Sequence, residues 1–395
     1  MNILLTLGRL AKGLELARSL SEAGHRVVVA DPFSLHLSKP SRRVARTYRV
    51  TAPKQDADQY LEDLRQIIEN EAIELVIPVS EEALYASRLG SFLEAPTRMF
   101  GPQFEQMERL HSKLEFTRLC KSIGLPAPET YSASSPDARR LADRNDYVLK
   151  PIHGCSGIGV HLRSLGDPFQ TGEAQAQNLV QQRVYGRQIS SFSIVKNGQV
   201  QVTALYEGDI YLGTVSVRFN RVETMPAVEH WIARFAEAEA YSGFISFDFI
   251  VPPDGTPFAI ECNPRLTSGV HLLDRRALAG FVTGGRVDTP HFKRARTFQD
   301  AHSTLTVAVG AITRPLTYLK TMGKVLTTRD VVFDWRDPLP FFLMTPMSWD
   351  TIRPGLFEGV SLAEAVTRDI LWTGNPSVEP RQSVEVSLDG AEHAR

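Results

Sequence analysis

The hydrophobic pattern opens with a strand, a glycine turn, a helix and a second strand: NILLTL, GRLAKGLELARSLSEAG and HRVVVAD, over residues 2 to 31. Gly24 stops the helix and Asp31 ends the second strand, so this stretch predicts the βαβ opening of a parallel sheet. A helix over 57 to 71 and a short apolar strand, ELVIPVS at 74 to 80, continue the alternation, and GPQ at 101 to 103 marks a boundary. Helical spacing then runs unbroken from 104 to 123, with Gly124 and Pro126 as stops, and a short helix follows in PDARRLADR. From 147 to 264 the pattern turns to strands: YVLKPI, GIGVHLRS, LVQQRV, QISSFSIV, an NG turn at 197 and 198, VQVTALYE and YLGTVSVRF. One helix, 226 to 241, interrupts before a hairpin at 247 to 265. Past about residue 280 the periodicity fades, and the last twenty residues are polar and expected to be mobile.

Composition narrows the class. A chain of 395 residues is too long for one typical core, and 43% hydrophobic with 23% charged residues is ordinary for a globular protein. A formal charge of −1 argues against nucleic-acid binding driven by overall charge. Cys120, Cys155 and Cys262 are far apart, with no CxxC, which points to neither a zinc site nor a disulfide framework. No apolar run approaches the ~18 residues of a membrane span, so no membrane partner is expected. MNILLTLGR lacks a signal-peptide pattern, so the expected location is cytoplasmic. The opening turn has Gly8 and Gly13 but no GxGxxG, which favours a scaffold over a dinucleotide site.

Candidate chemistry begins in FDFIVPPDGTPFAIECNPR, residues 247 to 265, an apolar hairpin that carries Asp248, Glu261 and Asn263 inside its strands. Charged groups are seldom buried without a partner. A register without a bulge sets Asp248 across from Ala259 and diagonal to Glu261. It also puts Glu261 and Asn263 on one face, with Phe258, Ile260 and Cys262 on the other. Two carboxylates and an amide, with no imidazole or thiolate, suit Mg²⁺ or Mn²⁺; the competing reading is a salt bridge to Arg265. In YVLKPIHGCSGIGV, Lys150 ends a strand and a loop with Gly154, Ser156, Gly157 and Gly159 follows. Such a loop lets backbone N–H groups approach phosphate closely. It is not a Walker A loop, because Gly-Lys-Ser/Thr is absent. In LVQQRVYGRQIS, an apolar strand, a break at Gly186 and a second strand could form an adenine-reading edge.

In this order the pieces resemble the ATP-grasp superfamily, over about residues 105 to 275, with AIECNPR and its hairpin the most specific. The implied fold is α/β and α+β: a pre-ATP-grasp domain with a parallel sheet at 1–104, an ATP-grasp domain at 105–285 with a mobile lid at about 140–185, and a C-terminal extension at 286–395. By resemblance, Lys113 and Lys150 contact ATP phosphates, and Ser156, Gly157 and Gly159 form the phosphate flap. Gln181, Gln182 and Val184 fall at the adenine hinge and Gln188 near the ribose; many relatives have Glu where this chain has Gln182 and Gln188. Asp248, Glu261 and Asn263 match ligands of Mg²⁺ or Mn²⁺, two ions in all, and Arg265 matches the arginine facing the transferred phosphoryl group. The implied reaction is that of an ADP-forming carboxylate–amine ligase: ATP activates a small-molecule carboxylate as an acyl phosphate, which an amine then attacks. The competing readings are bicarbonate carboxylation, direct phosphoryl transfer and a non-catalytic ATP-binding module. Relatives also suggest a homodimer.

Substrate recognition is less visible. Arg218 suits a bidentate grip on a carboxylate and His271 could orient a nucleophile; an exposed strand arginine and a structural histidine are the plainer readings. Eight Lys and Arg against two Asp over 286 to 329 read as a solvated face, or as steering for an acidic substrate. Cys262 and the apolar FFLMTPMSW at 341 to 349 are expected to pack in the core, the competing reading of the latter being the lining of an apolar acyl pocket.

Overall fold

The computed structural model describes residues 1–155, 157–167, 176–288, 290–360 and 362–374. The tail expected to be mobile lies outside the described residues. Five parallel strands form the first sheet: β1 (Asn2–Leu5), β2 (Arg26–Asp31), β3 (Arg46–Arg49), β4 (Leu75–Ile77) and β5 (Arg98–Met99), in the order β3-β2-β1-β4-β5. Ile3 and Leu5 enter one core cluster and Leu4 another, all fully buried. A strand buried on both faces needs apolar residues at every position, which is why NILL does not alternate. Helix α1 (Ala11–Glu22) covers one face with Leu14, Leu16, Ala17 and Leu20, and α2 (Ala57–Asn70) covers the other with Tyr60, Leu64, Ile67 and Ile68. Asp56 caps α2 by accepting from the Gln59 N–H.

At the β1–α1 turn the N–H groups of Gly8 and Arg9 both donate to Asp31 Oδ2, each at 2.9 Å. The Arg9 guanidinium lies between Asp31 and Asp369, at 2.7 and 2.8 Å. A carboxylate of the chain itself therefore occupies the amides that a dinucleotide phosphate would need, which fits the scaffold reading of this turn.

The helix expected over 104 to 123 is two helices. After the single turn α3 (Ala83–Ala86) come α4 (Phe104–His111) and α5 (Lys113–Ser122), separated by Ser112 in an extended conformation. The Ser112 hydroxyl accepts from the Glu115 N–H as an N-cap, a local bond that outcompetes helical continuation. The break frees the Lys113 N–H to donate to Ile152 O at 3.1 Å.

A four-stranded antiparallel sheet follows, with β6 (Thr130–Ser132), β7 (Tyr147–Pro151), β8 (His161–Arg163) and β9 (Asn178–Gln182) in the order β6-β9-β7-β8. Helix α6 (Pro136–Ala142) packs Ala138, Leu141 and Ala142 into a small core with Tyr147, Leu149 and Val180. The third sheet holds β10 (Arg187–Lys196), β11 (Gln199–Leu212), β12 (Val215–Arg221), β13 (Gly243–Val251), β14 (Phe258–Asn263), β15 (Thr297–Gln299) and β16 (Arg329–Asp330). Its order is β14-β13-β10-β11-β12-β15-β16. YLGTVSVRF, read above as one strand, turns at Gly213 and Thr214 and so divides between β11 and β12. Helix α7 (Pro226–Ala238) packs Trp231 and Phe235 edge-to-face against Phe247 and Phe249 of β13. Helices α8 (Arg275–Thr283), α9 (Ala301–Gly310) and α10 (Pro315–Thr327) complete the larger elements.

One core cluster joins the first sheet to the third, with Leu5, Leu14 and Leu20 alongside Phe192, Phe219, Phe244 and Leu272. The later residues return to the first sheet through a buried ion pair, Arg18 Nε to Asp337 Oδ2 at 2.9 Å. Of FFLMTPMSW, Phe341 and Met344 reach the first core, but Phe342 is 66% exposed. The segment is therefore not the core strip expected. It forms two single-turn helices, Leu339–Phe342 and Met344–Met347, and such short turns present no continuous apolar face. Cys262 is fully packed in the core, as expected.

Candidate active site

The β13–β14 hairpin carries a β-bulge. Asp248 pairs with Glu261 and Ser246 with Asn263, but Phe249 pairs with Ala259, which leaves Ile260 as the extra residue. This corrects the expected register. Asp248 lies directly across from Glu261, and the bulge shifts the alternation so that Ala259 and Cys262 enter the core together. The Ile260 carbonyl accepts instead from Lys150 Nζ, at 3.1 Å. One extra residue thus does two things: it brings the carboxylates face to face and supplies an acceptor for the lysine.

Burial pushes the Asp248 carboxyl well above the usual range, and the facing Glu261 carboxylate adds to the shift. Only the Ser190 hydroxyl, donating to Asp248 Oδ1 at 2.6 Å, and more distant cations oppose it. Lys150 is buried, donates to Gln181 Oε1 at 3.0 Å and has its ammonium pushed down to about 8 by burial, despite Glu261 nearby. Lys113, buried at the start of α5, donates to Gly154 O at 2.6 Å and stands 3.9 Å from Glu261 Oε2. Two lysines and two carboxylates from four separate elements therefore meet at one place.

The same place receives side chains from the first sheet that the sequence reading did not single out. Glu81, 1% exposed, forms an ion pair with Arg265, whose Nη2 also donates to Asn263 Oδ1 at 2.9 Å. Burial alone would raise the Glu81 carboxyl, but Arg265, then His111, Lys12 and Lys113, hold it down to about 2. His111 Nε2 lies 3.9 Å from Glu81 and its ring is stacked on His153 at 5.9 Å, both imidazoles kept neutral by burial. Lys12, in the first turn of α1, donates to Ser80 Oγ at 3.1 Å and to Leu266 O at 2.8 Å, and burial lowers its ammonium strongly. Glu82 instead braces its own turn, accepting from the N–H groups of Val79 and Ser80 and from the Thr6 hydroxyl. The signal was present in VSEE at 79 to 82: two carboxylates directly after a buried strand, as in the hairpin.

The flap sits beside this cluster. Gly157 and Gly159 have φ of +67° and +74°, a region open to glycine at little cost. A Cβ at Gly157 would lie 2.8 Å from the Thr214 side chain in the β11–β12 turn. Ser156 lies outside the described residues. At the expected hinge, the buried Gln181 amide is committed to Lys150 and Thr130, to whose hydroxyl it donates at 3.0 Å. That geometry makes it a brace for the lysine. Gln182 and Val184 are half-buried, and Gln188 is exposed on β10 opposite Ile250. The two substrate candidates have other surroundings. Arg218 is ion-paired with Asp209 and donates to Thr328 Oγ1 at 3.0 Å. His271 is buried near Phe219, with its ring held neutral by burial.

A divalent cation fits the donor chemistry. Burial, and after it the facing Glu261 carboxylate, raise Asp248, and a cation between the two carboxylates would offset both. No cluster of three or more His, Cys, Asp or Glu is assembled among the described residues. An ion held by Asp248, Glu261 and Asn263 would therefore complete its shell with water or phosphate oxygens, the habit of Mg²⁺.

Residues 110–269 match the ATP-grasp domain family. The match spans 160 of the 395 residues, and the likeness to ATP-grasp proteins is shown for that segment. The carbamoyl phosphate synthase large chain of Methanothermobacter thermautotrophicus is 21% identical over 298 residues, 68% of this chain and 27% of that protein. The chain thus spans about a quarter of that curated relative's length. Among solved structures, the L-amino acid ligase of Bacillus licheniformis superimposes with a TM-score of 0.56 at 14% identity, over 71% of this chain and 73% of that one. The biotin carboxylase domain of Hydrogenobacter thermophilus 2-oxoglutarate carboxylase, in complex with MgADP, ADP and bicarbonate, gives 0.59 at 15% identity, over 75% and 73%. At these identities the likeness is one of fold.

Proposed function

We propose that this chain is an ADP-forming ligase that uses ATP to activate a small-molecule carboxylate and joins it to an amine. The observation that carries the reading is the Asp248–Glu261 pair, set face to face by a bulge and ringed by Lys113, Lys150 and Arg265. Phosphoryl transfer depends mainly on positioning and charge neutralisation, and this arrangement supplies both. Asp248, Glu261 and Asn263 would hold Mg²⁺, which supplies charge neutralisation at the β- and γ-phosphates. Lys113 and Lys150 bind phosphate oxygens, and the amides around Gly157 and Gly159 cover them. Arg265, oriented by Glu81 and Asn263, faces the transferred group.

In the first step a carboxylate oxygen bonds to the γ-phosphorus and the bond to ADP breaks, giving an acyl phosphate. In the second, the amine bonds to the acyl carbon, inorganic phosphate leaves and the nitrogen gives up a proton, so no oxidant is needed. Closure of the loop around Gly157, which lies beside Thr214, would keep water from the acyl phosphate.

The biotin carboxylase domain of similar fold, solved with bicarbonate, supports a second reading, with bicarbonate as the carboxylate. A screen of ADP release across amino acids and other carboxylic acids, each with amines or bicarbonate, separates the two. The expected result is ADP release that requires both an organic carboxylate and an amine, with a product weighing their sum less one water. ADP release driven by bicarbonate without an organic acid would replace the first reading with the second.

A further inference from the structure

The basic stretch after residue 286 is not used by the nucleotide site, and its structure is unusual. Helices α9 and α10 form a hairpin between β15 and β16, strands that pair in parallel at the edge of the third sheet. An ordinary surface helix buries one face, yet α10 buries no residue. Leu305, Val309 and Ile312 of the α9 segment are 40%, 54% and 63% exposed; Leu316, Leu319 and Leu326 of α10 are 84%, 64% and 80% exposed. At 3.6 residues per turn Leu305 and Val309 share one narrow arc of α9 and Leu316, Leu319 and Leu326 one arc of α10, with Ile312 following in the turn between them. These are two apolar stripes left largely exposed among the described residues.

The charge around the stripes has one sign. Residues 301 to 329 contain no Asp or Glu, but include Arg314, Lys320, Lys324 and Arg329. Lys324 is neutralised by Asp209 at 3.0 Å, whereas Arg314, Lys320 and Arg329 are exposed and make no ion pair among the described residues. A second copy meeting the hairpin across a two-fold axis would bring like charges together with no carboxylate of the hairpin between them, an unfavourable contact. The helices, of 10 and 13 residues, are about 15 and 20 Å long. That is short of the ~30 Å hydrocarbon core, and no described helix is long and apolar enough to cross a membrane. Apolar stripes with flanking cations suit a helix lying in the interface of a bilayer.

We propose that the α9–α10 hairpin docks on an anionic lipid surface. The leucine, valine and isoleucine side chains enter the headgroup boundary, and Arg314, Lys320 and Arg329 meet lipid phosphates. The test is sedimentation of the full chain with vesicles of phosphatidylcholine alone, or of three parts phosphatidylcholine to one part phosphatidylglycerol. Binding to the mixed vesicles is expected to be tighter by roughly tenfold or more, given the worth of each cation near an anionic surface. Leu316→Asp/Leu319→Asp/Leu326→Asp should abolish binding and Arg314→Glu/Lys320→Glu should lower it at least about thirtyfold, both leaving ATP affinity unchanged. No binding to the mixed vesicles, or equal binding to both kinds, overturns the proposal. So does a wild-type dimer in sedimentation velocity that the triple-aspartate variant converts to monomer, which would give the surface to a second copy.

Discussion

Raising the pH should weaken nucleotide binding through Lys150. Burial places its ammonium at about 8 in the free protein, against an ordinary 10.5. That gap of two and a half units is a bias of about 3 kcal/mol against the charged form. Only the charged form can grip a phosphate oxygen, so the free protein must hold the proton for tight binding. It is half protonated near pH 8 and roughly one-tenth protonated near pH 9, so affinity for a non-hydrolysable Mg·ATP analogue should fall about fivefold over that unit. Titration calorimetry at fixed ionic strength reads the change, with proton uptake appearing as a buffer-dependent heat. Lys150→Arg, whose guanidinium stays charged, should bind more weakly at pH 7 but show no such fall. Stability moves the opposite way. The folded pKa lies below the unfolded one, so the cost of the buried charge is present below pH 8 and is relieved as pH rises from about 8 to 10.5. Urea titrations of the wild type should gain stability relative to Lys150→Met over that window. Affinity that stays level to pH 9.5, or falls equally in Lys150→Arg, refutes the assignment of Lys150 to the phosphates.

Three further outcomes follow from the same cluster. Glu261→Ala should abolish ATP turnover with an unchanged melting temperature, and wild-type rates in that variant would remove the cation from the site. Arg265→Ala should cut turnover by roughly 10²–10³ and cost roughly 3–5 kcal/mol of stability by leaving Glu81 buried and unpaired; adding Glu81→Gln should restore the stability but not the turnover. Because Glu81 is held at about 2 in the folded chain, its stabilisation is complete above its ordinary 4.5 and is lost as pH falls from there toward 2. Acid denaturation of Glu81→Gln should lack that component, and an unaltered acid limb would contradict the ion pair.

Where side-chain pattern and strand period coincide, the sequence was easy to read. The βαβ opening is legible because Ile3–Leu5 and Val27–Ala30 are apolar without interruption and Gly24 allows one place to stop. The hairpin carboxylates are legible because charge inside an apolar strand demands a partner. What stayed hidden depends on single backbone events. Nothing in FAIECN announces the bulge at Ile260, because bulges answer to the twist of neighbouring strands. The break at Ser112 was hidden for a related reason: serine fits a helix interior well enough, and the Ile152 carbonyl that takes the Lys113 N–H, which the local sequence does not show, adds to the Ser112 cap. At Gln181, polarity was visible but direction was not, and the amide points at Lys150 and Thr130.

The largest gap, Glu81, shows why the first sheet belongs to the argument about chemistry. A buried carboxylate held down to about 2 requires a cation fixed close by, and Arg265 comes from the opposite side of a shared core. That core sets the first sheet against the third through residues such as Leu14 and Phe192, so the ion pair cannot relax by sliding apart. Arg265 is thereby aimed by groups on both sides, Glu81 and Asn263, with its Nε left without a hydrogen-bond acceptor in the buried cluster. A guanidinium with one buried donor unsatisfied is costly unless a ligand completes it. An anionic oxygen is the natural acceptor for such a donor. Under the proposed function, a phosphoryl group carried between the bulged hairpin and the glycine loop would supply one.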